Sequence, residues 1–246
     1  MNEDFSNVYD DEKRAGSYDE LEFPGTYYLA YRDLPEMIAE HVSGNKALDF
    51  GCGTGRSTRF LRGLSFDVVG VDISKPMLER ARLNDPGGDY RLLGGDGLDI
   101  FPAGSFDLVL SAFTFDNIAT VGKKIALFES LKRLLSGGGC ILNLVSSPDI
   151  YVNEWASFST RDFPGNRKAR SGDRVKIVML DVEDRRPVED IVCSDEDYRT
   201  IYRRAGLELI EARKPLASPE EPYEWVSETS IAPWVIYVLG RGEVES

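Results

Sequence analysis

The stretch Leu48-Asp49-Phe50-Gly51-Cys52-Gly53-Thr54-Gly55 decides the fold. An apolar run ends in an aspartate and an aromatic, three glycines follow at alternate positions, and a helical pattern begins at Arg56. Glycines permit a tight turn and let backbone approach a ligand closely. The helix after such a turn offers free N–H groups and the positive end of its dipole, which suits an anionic group. Spacing excludes two other cradles. The nicotinamide fingerprint needs Gly-x-Gly-x-x-Gly, and Arg56 and Thr58 stand where its two registers require the last glycine. The Walker Gly-Lys-Ser/Thr ending is also missing. The alternative is a bare strand–helix turn with no ligand, in which three glycines cost backbone entropy without packing return.

Outward from this turn, short apolar runs alternate with helical patterns. Lys46 to Phe50 is a strand and Arg56 to Leu64 a helix. Asp67 to Val71 is a second strand, and Ser74 caps a helix with Pro76 in its first turn. Tyr90 to Leu93 and Phe106 to Leu110 are the third and fourth strands. Ile125, Phe128, Leu131 and Leu135 repeat at helical spacing, Ser136 to Gly139 stops that helix, and Cys140 to Val145 is the fifth strand. Such alternation predicts an α/β fold, doubly wound, with a mostly parallel sheet and helices on both faces. Tyr151 to Asp173 shows no period; Arg174 to Leu180 and Val188 to Val192 pattern as a hairpin. Together they form a small cap inserted after the fifth strand. A helix from Ser194 to Ala205, ended by Gly206, precedes two last strands, Leu207 to Arg213 and Trp234 to Leu239. That pair extends the sheet and places one antiparallel strand in it. The expected organisation is one domain: an N-terminal lid (1–32), a cofactor-binding half (33–145), the cap (146–193) and a C-terminal helix with two strands (194–246).

Carboxylates recur at the strand ends. Asp72 closes the second strand, where it can accept from both hydroxyls of a ribose. Asp96 follows the third, in Gly94-Gly95-Asp96-Gly97, where it can accept from an adenine amino group. Ser111-Ala112-Phe113 ends the fourth with small residues that let the chain run along a cofactor. Each aspartate alone fits a turn or a helix cap; their placement at successive strand ends is harder to explain that way.

In these residues the chain resembles the class I S-adenosylmethionine-dependent methyltransferases, particularly the broad group acting on small molecules. The matching residues are Asp49 to Gly55, Val71-Asp72, Gly95-Asp96, Phe106-Asp107-Leu108-Val109 and Leu134 to Gly139, and the likeness covers Lys46 to Val145. The resemblance implies a seven-stranded sheet whose last strand is antiparallel, and S-adenosylmethionine as cofactor. It implies that Asp49, Gly51, Cys52, Gly53 and Gly55 hold the methionine portion. Asp72 takes the ribose and Asp96 the adenine, and Ile73, Gly97 and Ser111 are further cofactor-binding candidates. Arg91, in the third strand, receives no role.

Methyl transfer from a sulfonium is an in-line displacement, so the protein chiefly orients the partners and excludes water. Beyond the fourth strand, Phe113 and Asn117 are candidates to line an acceptor pocket. Asp116 is the catalytic candidate, to orient or deprotonate the acceptor, with helix capping as its alternative. In the N-terminal segment, Arg32 is a candidate partner for the methionine carboxylate, and Tyr27 and Tyr31 are candidates to line the pocket; an aromatic stripe also suits a core. The cap offers Tyr151, Trp155 and Phe158, and the loop beyond it Trp225.

Charge narrows the acceptor. The net charge is −13, and no Lys/Arg run stands out as a basic groove, so a small-molecule acceptor is expected and nucleic acid is not. No apolar run is long enough to span a bilayer, and the N-terminus has no signal core, so no membrane partner and a cytoplasmic location are expected. A homodimer is compatible with this reading. Cys52, Cys140 and Cys193 lie far apart without a CxxC pair, which suits neither a disulfide framework nor a zinc site; no metal is expected. The single histidine, His41, ends a short helix that Asp33 is placed to cap, and a structural role is expected of it. The first 20 residues are polar and charged and are expected to be mobile until a ligand orders them. A cofactor-binding protein without transferase activity, or a protein or RNA methyltransferase, is the competing class.

Overall fold

The computed structural model describes residues 23–95 and 97–242. Two short helices open it, α1 (Thr26–Arg32) and α2 (Leu34–His41). There follow β1 (Lys46–Phe50), α3 (Arg56–Gly63), β2 (Asp67–Asp72), α4 (Lys75–Asn84), β3 (Asp89–Leu92) and β4 (Phe106–Ala112). Then come α5 (Val121–Leu134), β5 (Leu135–Ser146), β6 (Phe158–Ser159), β7 (Arg174–Met179) and β8 (Val188–Ile191). The described chain closes with α6 (Asp195–Arg204), β9 (Leu207–Arg213) and β10 (Trp234–Arg241). Seven strands form one sheet in the order β3-β2-β1-β4-β5-β10-β9. β1 to β5 pair in parallel, and β10 runs antiparallel to both neighbours, so the last strand is the reversed one.

Period-2 alternation explains why helices cover both faces. Ala47, Leu108, Leu142, Leu144, Ile236 and Val238 join a cluster that includes Leu29, Leu34, Met37 and Leu61 from α1, α2 and α3. Their neighbours Leu48, Val109, Ile141, Val145 and Tyr237 join one that includes Phe128 and Leu131 of α5 and Tyr198 and Ile201 of α6. The sheet turns sharply in strand order at β1/β4, where a ligand site forms in such folds.

Two local expectations change. The glycines 137–139 lie inside β5 rather than between helix and strand, and α5 passes directly into the strand at Leu135. A side chain at Gly139 would meet the Phe106 and Asp107 carbonyls at 2.9 and 3.1 Å, so glycine lets β5 press against β4 there. Asp33 occupies the N-cap of α2 without capping it, because its carboxylate takes the Arg32 guanidinium instead. His41 ends α2 with Nε2 2.8 Å from Glu211, tying the helix to β9.

The cap gains a strand that has no period to read: β6, two residues long, pairs with β7 to complete a three-stranded antiparallel sheet. Val175, Ile177, Met179 and Val188 pack into the same core as α1. The three cysteines are buried and unbonded to one another. No helix of the described residues is long and apolar enough to cross a membrane.

Candidate cofactor and acceptor site

At the end of β1 the chain turns through Gly51, Gly53 and Gly55, all with positive φ (76°, 54° and 83°). The amides of Gly51 and Cys52 donate to Val71 O at 2.8 and 3.0 Å, which pins the turn to β2. A side chain on Gly51 would run into Thr114, whereas one on Gly53 would meet nothing and project into open space. That space is a cleft of about 530 Å³ along the carboxyl ends of the strands, a size that suits a small-molecule ligand. Gly94, Gly95 and Gly97 also border it with no atom where a side chain would stand. The walls are therefore largely backbone on this side, a cradle fitted to a nucleoside-sized ligand.

Asp49 lies under the turn rather than on the cleft. Its side chain is fully buried, and Oδ2 accepts from Ser57 Oγ at 2.7 Å and Thr58 Oγ1 at 2.6 Å. Oδ1 has no partner. Burial pushes its pKa up to about 6 against those two hydrogen bonds. It thus braces the first turn of α3, where Arg56 and Ser57 line the cleft. Asp72 does line the cleft. Its Oδ2 accepts from Gly53 N at 2.9 Å and Oδ1 from Ser74 N at 2.8 Å, so backbone fixes the carboxylate at the rim. Beside it Ile73 is 62% exposed, an apolar surface on the cleft edge. Cys52 lines the cleft as well, with a thiol that burial pushes far up, so it stays protonated and unreactive. Asp96 lies outside the described residues. Ser111 is buried with its hydroxyl unpartnered and does not line the cleft; the next residue, Ala112, does.

The candidate basic residue is displaced. Arg32 points away, to Asp33 and Glu221 at 2.7 Å each and Leu216 O at 3.0 Å, and fastens α1 to the C-terminal loop. Arg56 lines the cleft instead. Its guanidinium carbon lies 4.8 Å from the Tyr27 ring centroid and 5.5 Å from those of Phe23 and Tyr31. Sequence reasoning missed Arg56, although one signal was there. A cation in the first turn of a helix opposes the dipole, which asks for a compensating reason.

Of the acceptor candidates, Tyr31, Phe113 and Asn117 line the cleft. Phe113 holds φ of 63°, a sparsely populated conformation for a bulky residue. The turn it opens is over-determined. Thr114 Oγ1 donates to Phe50 O at 2.9 Å, Asn117 Nδ2 donates to Phe113 O at 3.3 Å, and Phe115 stacks on Phe128. Asp116 belongs to this scaffold: buried and off the cleft, it accepts from Ser146 N at 3.0 Å. Burial pushes its pKa up, opposed by Lys124, itself buried and donating to Phe115 O. Tyr27 is packed among Phe113, Phe158 and Trp234, with its hydroxyl on Met179 Sδ. Trp155 is buried and donates to Ile150 O, and Tyr151 donates to Asp190 at 3.1 Å beside a different crevice. Trp225 donates to Ser218 O in the C-terminal loop. None of these four lines the cleft.

Comparison with known proteins agrees with this geometry. Residues 48–143 match the family model for a methyltransferase domain. The chain is similar to the cypemycin N-terminal methyltransferase of a Streptomyces species, 37% identical over 112 residues, which cover 43% of this chain and 44% of that one. It is similar to demethylmenaquinone methyltransferase of Tropheryma whipplei, 28% identical over 188 residues, 73% of this chain and 77% of that one. An 18S rRNA (guanine-N(7))-methyltransferase of Bos taurus is 29% identical over 186 residues, 64% of this chain and 66% of the relative. In fold, the CcbJ methyltransferase of Streptomyces caelestis superposes with a TM-score of 0.62 at 19% identity, over 90% of this chain and all of that one. An S-adenosylmethionine-dependent methyltransferase of Clostridium acetobutylicum does so with 0.61 at 16% identity, over 94% and 98%. The glycine turn, the strand order and the matched residues agree: residues 48–143 carry a methyltransferase domain, and the fold is the one shared by S-adenosylmethionine-dependent methyltransferases, whose methyl donor is S-adenosylmethionine.

Proposed function

We propose that this chain methylates a small, partly apolar or aromatic acceptor that is nucleophilic without help from a protein base. S-adenosylmethionine supplies a methyl group on a sulfonium, open to in-line attack. Asp72 is the residue to take the ribose hydroxyls, its carboxylate already aimed by two backbone amides. Ile73 and Leu98 offer apolar contact to the base. Arg56, which lines the cleft at the start of α3, is the residue to meet the methionine carboxylate, with the positive end of the helix dipole beside it.

The observation that carries the acceptor class is the composition of the other end of the cleft. Among the described residues Tyr31, Phe113, Thr114 and Asn117 line it, with no carboxylate and no imidazole among these four, while the carboxylates of the lining, Asp72 and Asp99, come from the β2 end and the turn before β4. Rings held by packing exclude water and fix an acceptor's orientation, which alone can supply several kcal/mol. The Asp116 carboxylate acts through the turn that carries Phe113, as a positioning residue, since its own contact is the Ser146 amide. The similar proteins include a demethylmenaquinone methyltransferase and an 18S rRNA (guanine-N(7))-methyltransferase, so the acceptor is the point to test. A panel of phenols, quinols, amines and thiols, scored by S-adenosylhomocysteine formation, should reveal turnover with at least one class. Methylation of bulk RNA or folded protein without any small-molecule turnover would overturn the proposal.

A further inference from the structure

A second crevice, of about 380 Å³, lies in the cap between residues 151–154 and 160–167. No residue lines both it and the cofactor cleft. Its walls are tied together. Asn166 Nδ2 donates to Tyr151 O at 2.9 Å and to Lys176 O at 2.8 Å. Glu154 closes the other side, accepting from Ser159 Oγ and Thr160 N at 2.7 Å each. The only carboxylate in the lining is thus committed to its own loop, and Arg161 stays 3.9 Å from it. Val152, Phe163 and Pro164 supply apolar surface, while Arg161 and Arg167 supply guanidinium groups.

The surrounding charge is opposite to that of the molecule. Residues 161–176 carry six Lys or Arg and two Asp, in a chain whose net charge is −13. Arg174 and Lys176 share the single carboxylate of Glu189, at 3.3 and 3.1 Å. Among the described residues Arg167, Lys168 and Arg170 form no ion pair, although the protein has acidic side chains in excess. A local positive field on an acidic protein is a place where an anion gathers, and a crevice of this size admits a small molecule. A polymer would have to approach the remaining acidic surface, which disfavours it.

We propose that this crevice is a second binding site, for a small molecule that carries a phosphate or carboxylate group on an apolar or aromatic body. Arg161 and Arg167 meet the oxyanion, and Phe163 with Pro164 meets the body. This site does not depend on the methyl-transfer reading. Isothermal titration of the full chain with phenyl phosphate and with benzoate tests it and tells which oxyanion is preferred. Saturable binding is expected with at least one of them. The body without the charge, benzyl alcohol, should not bind. Losing two charge-assisted contacts in the R161A/R167A variant should weaken binding by about tenfold or more, while S-adenosylhomocysteine affinity stays unchanged. Saturating S-adenosylhomocysteine should leave the binding intact. The proposal is overturned if neither anion binds, if the double variant binds equally well, if S-adenosylhomocysteine displaces the anion, or if an RNA oligonucleotide binds where phenyl phosphate does not.

Discussion

Arg56 occupies a position where the helix dipole disfavours a cation, and three aromatic rings hold it there. In the proposed function it meets the carboxylate of the methionine tail. Arg56→Ala should therefore weaken S-adenosylhomocysteine by one charge-assisted contact, about 1.5–3 kcal/mol. It should leave 5′-methylthioadenosine, which lacks the amino-acid tail, almost unaffected. Equal losses for the two ligands in calorimetry would remove the carboxylate role. Arg32→Ala should change neither affinity, because its partners are Asp33 and Glu221. Asp49 tests a different consequence. A carboxyl whose folded pKa, about 6, exceeds its unfolded value of 3.8 binds its proton more tightly in the folded chain. Its contribution therefore favours folding at low pH and is lost as pH rises from about 4 through 6, by about 3 kcal/mol in all. Asp49→Asn removes that titration. The difference in unfolding free energy between wild type and variant should shift toward the variant from pH 4 to pH 7; a pH-independent difference would mean Asp49 does not titrate there.

The elements around the site were legible to the extent that their pattern was local. The alternation of apolar runs located every strand of the large sheet, and the glycine spacing located the turn, because each is a short-range consequence of backbone geometry. What stayed hidden depends on pairing across the chain. Ser111 and Ala112 differ in whether they face the cleft, and that follows from β4 running to Ala112 rather than stopping at Leu110. The choice of Arg56 over Arg32 depends on Glu221, distant in sequence, and the strained Phe113 has no sequence signal at all. The same holds for Glu228, which is fully buried between α1, the cap and the C-terminal loop. One oxygen accepts from Thr26 Oγ1 at 2.6 Å and Ala156 N at 2.7 Å, the other from Val226 N at 2.8 Å and Ser227 N at 3.0 Å. Glu228→Ala would leave four donors without an acceptor. It should cost about 3–5 kcal/mol in urea unfolding, the range for removing one side of a buried charged network. A cost under about 1 kcal/mol would show that the donors find other partners.

At the scale of the whole molecule, the cofactor cleft draws its walls from the ends of β1, β2 and β4, the start of α3 and one side of α5. A ligand seated there touches elements from both faces of the sheet, so its binding energy is shared by the whole folded unit. By linkage, S-adenosylhomocysteine at a hundredfold excess over its Kd should stabilise the native state by about 2.7 kcal/mol. For a chain of this length that corresponds to a rise in Tm of about 5–10 °C. Nicotinamide dinucleotides should not reproduce it, because Arg56 and Thr58 stand where their pyrophosphate turn needs glycine. The Asp72→Ala variant separates seating from general stabilisation. Its unliganded Tm should fall only modestly, since the Gly53 and Ser74 amides that lose their acceptor lie at the open cleft rim, where water can replace it. Its Tm rise with S-adenosylhomocysteine should shrink as one or two ribose contacts, each about 1.5–3 kcal/mol, are lost. A melt that dinucleotides raise and S-adenosylhomocysteine does not would overturn the assignment of the cleft. An undiminished rise in the Asp72 variant would instead move the ribose to another residue.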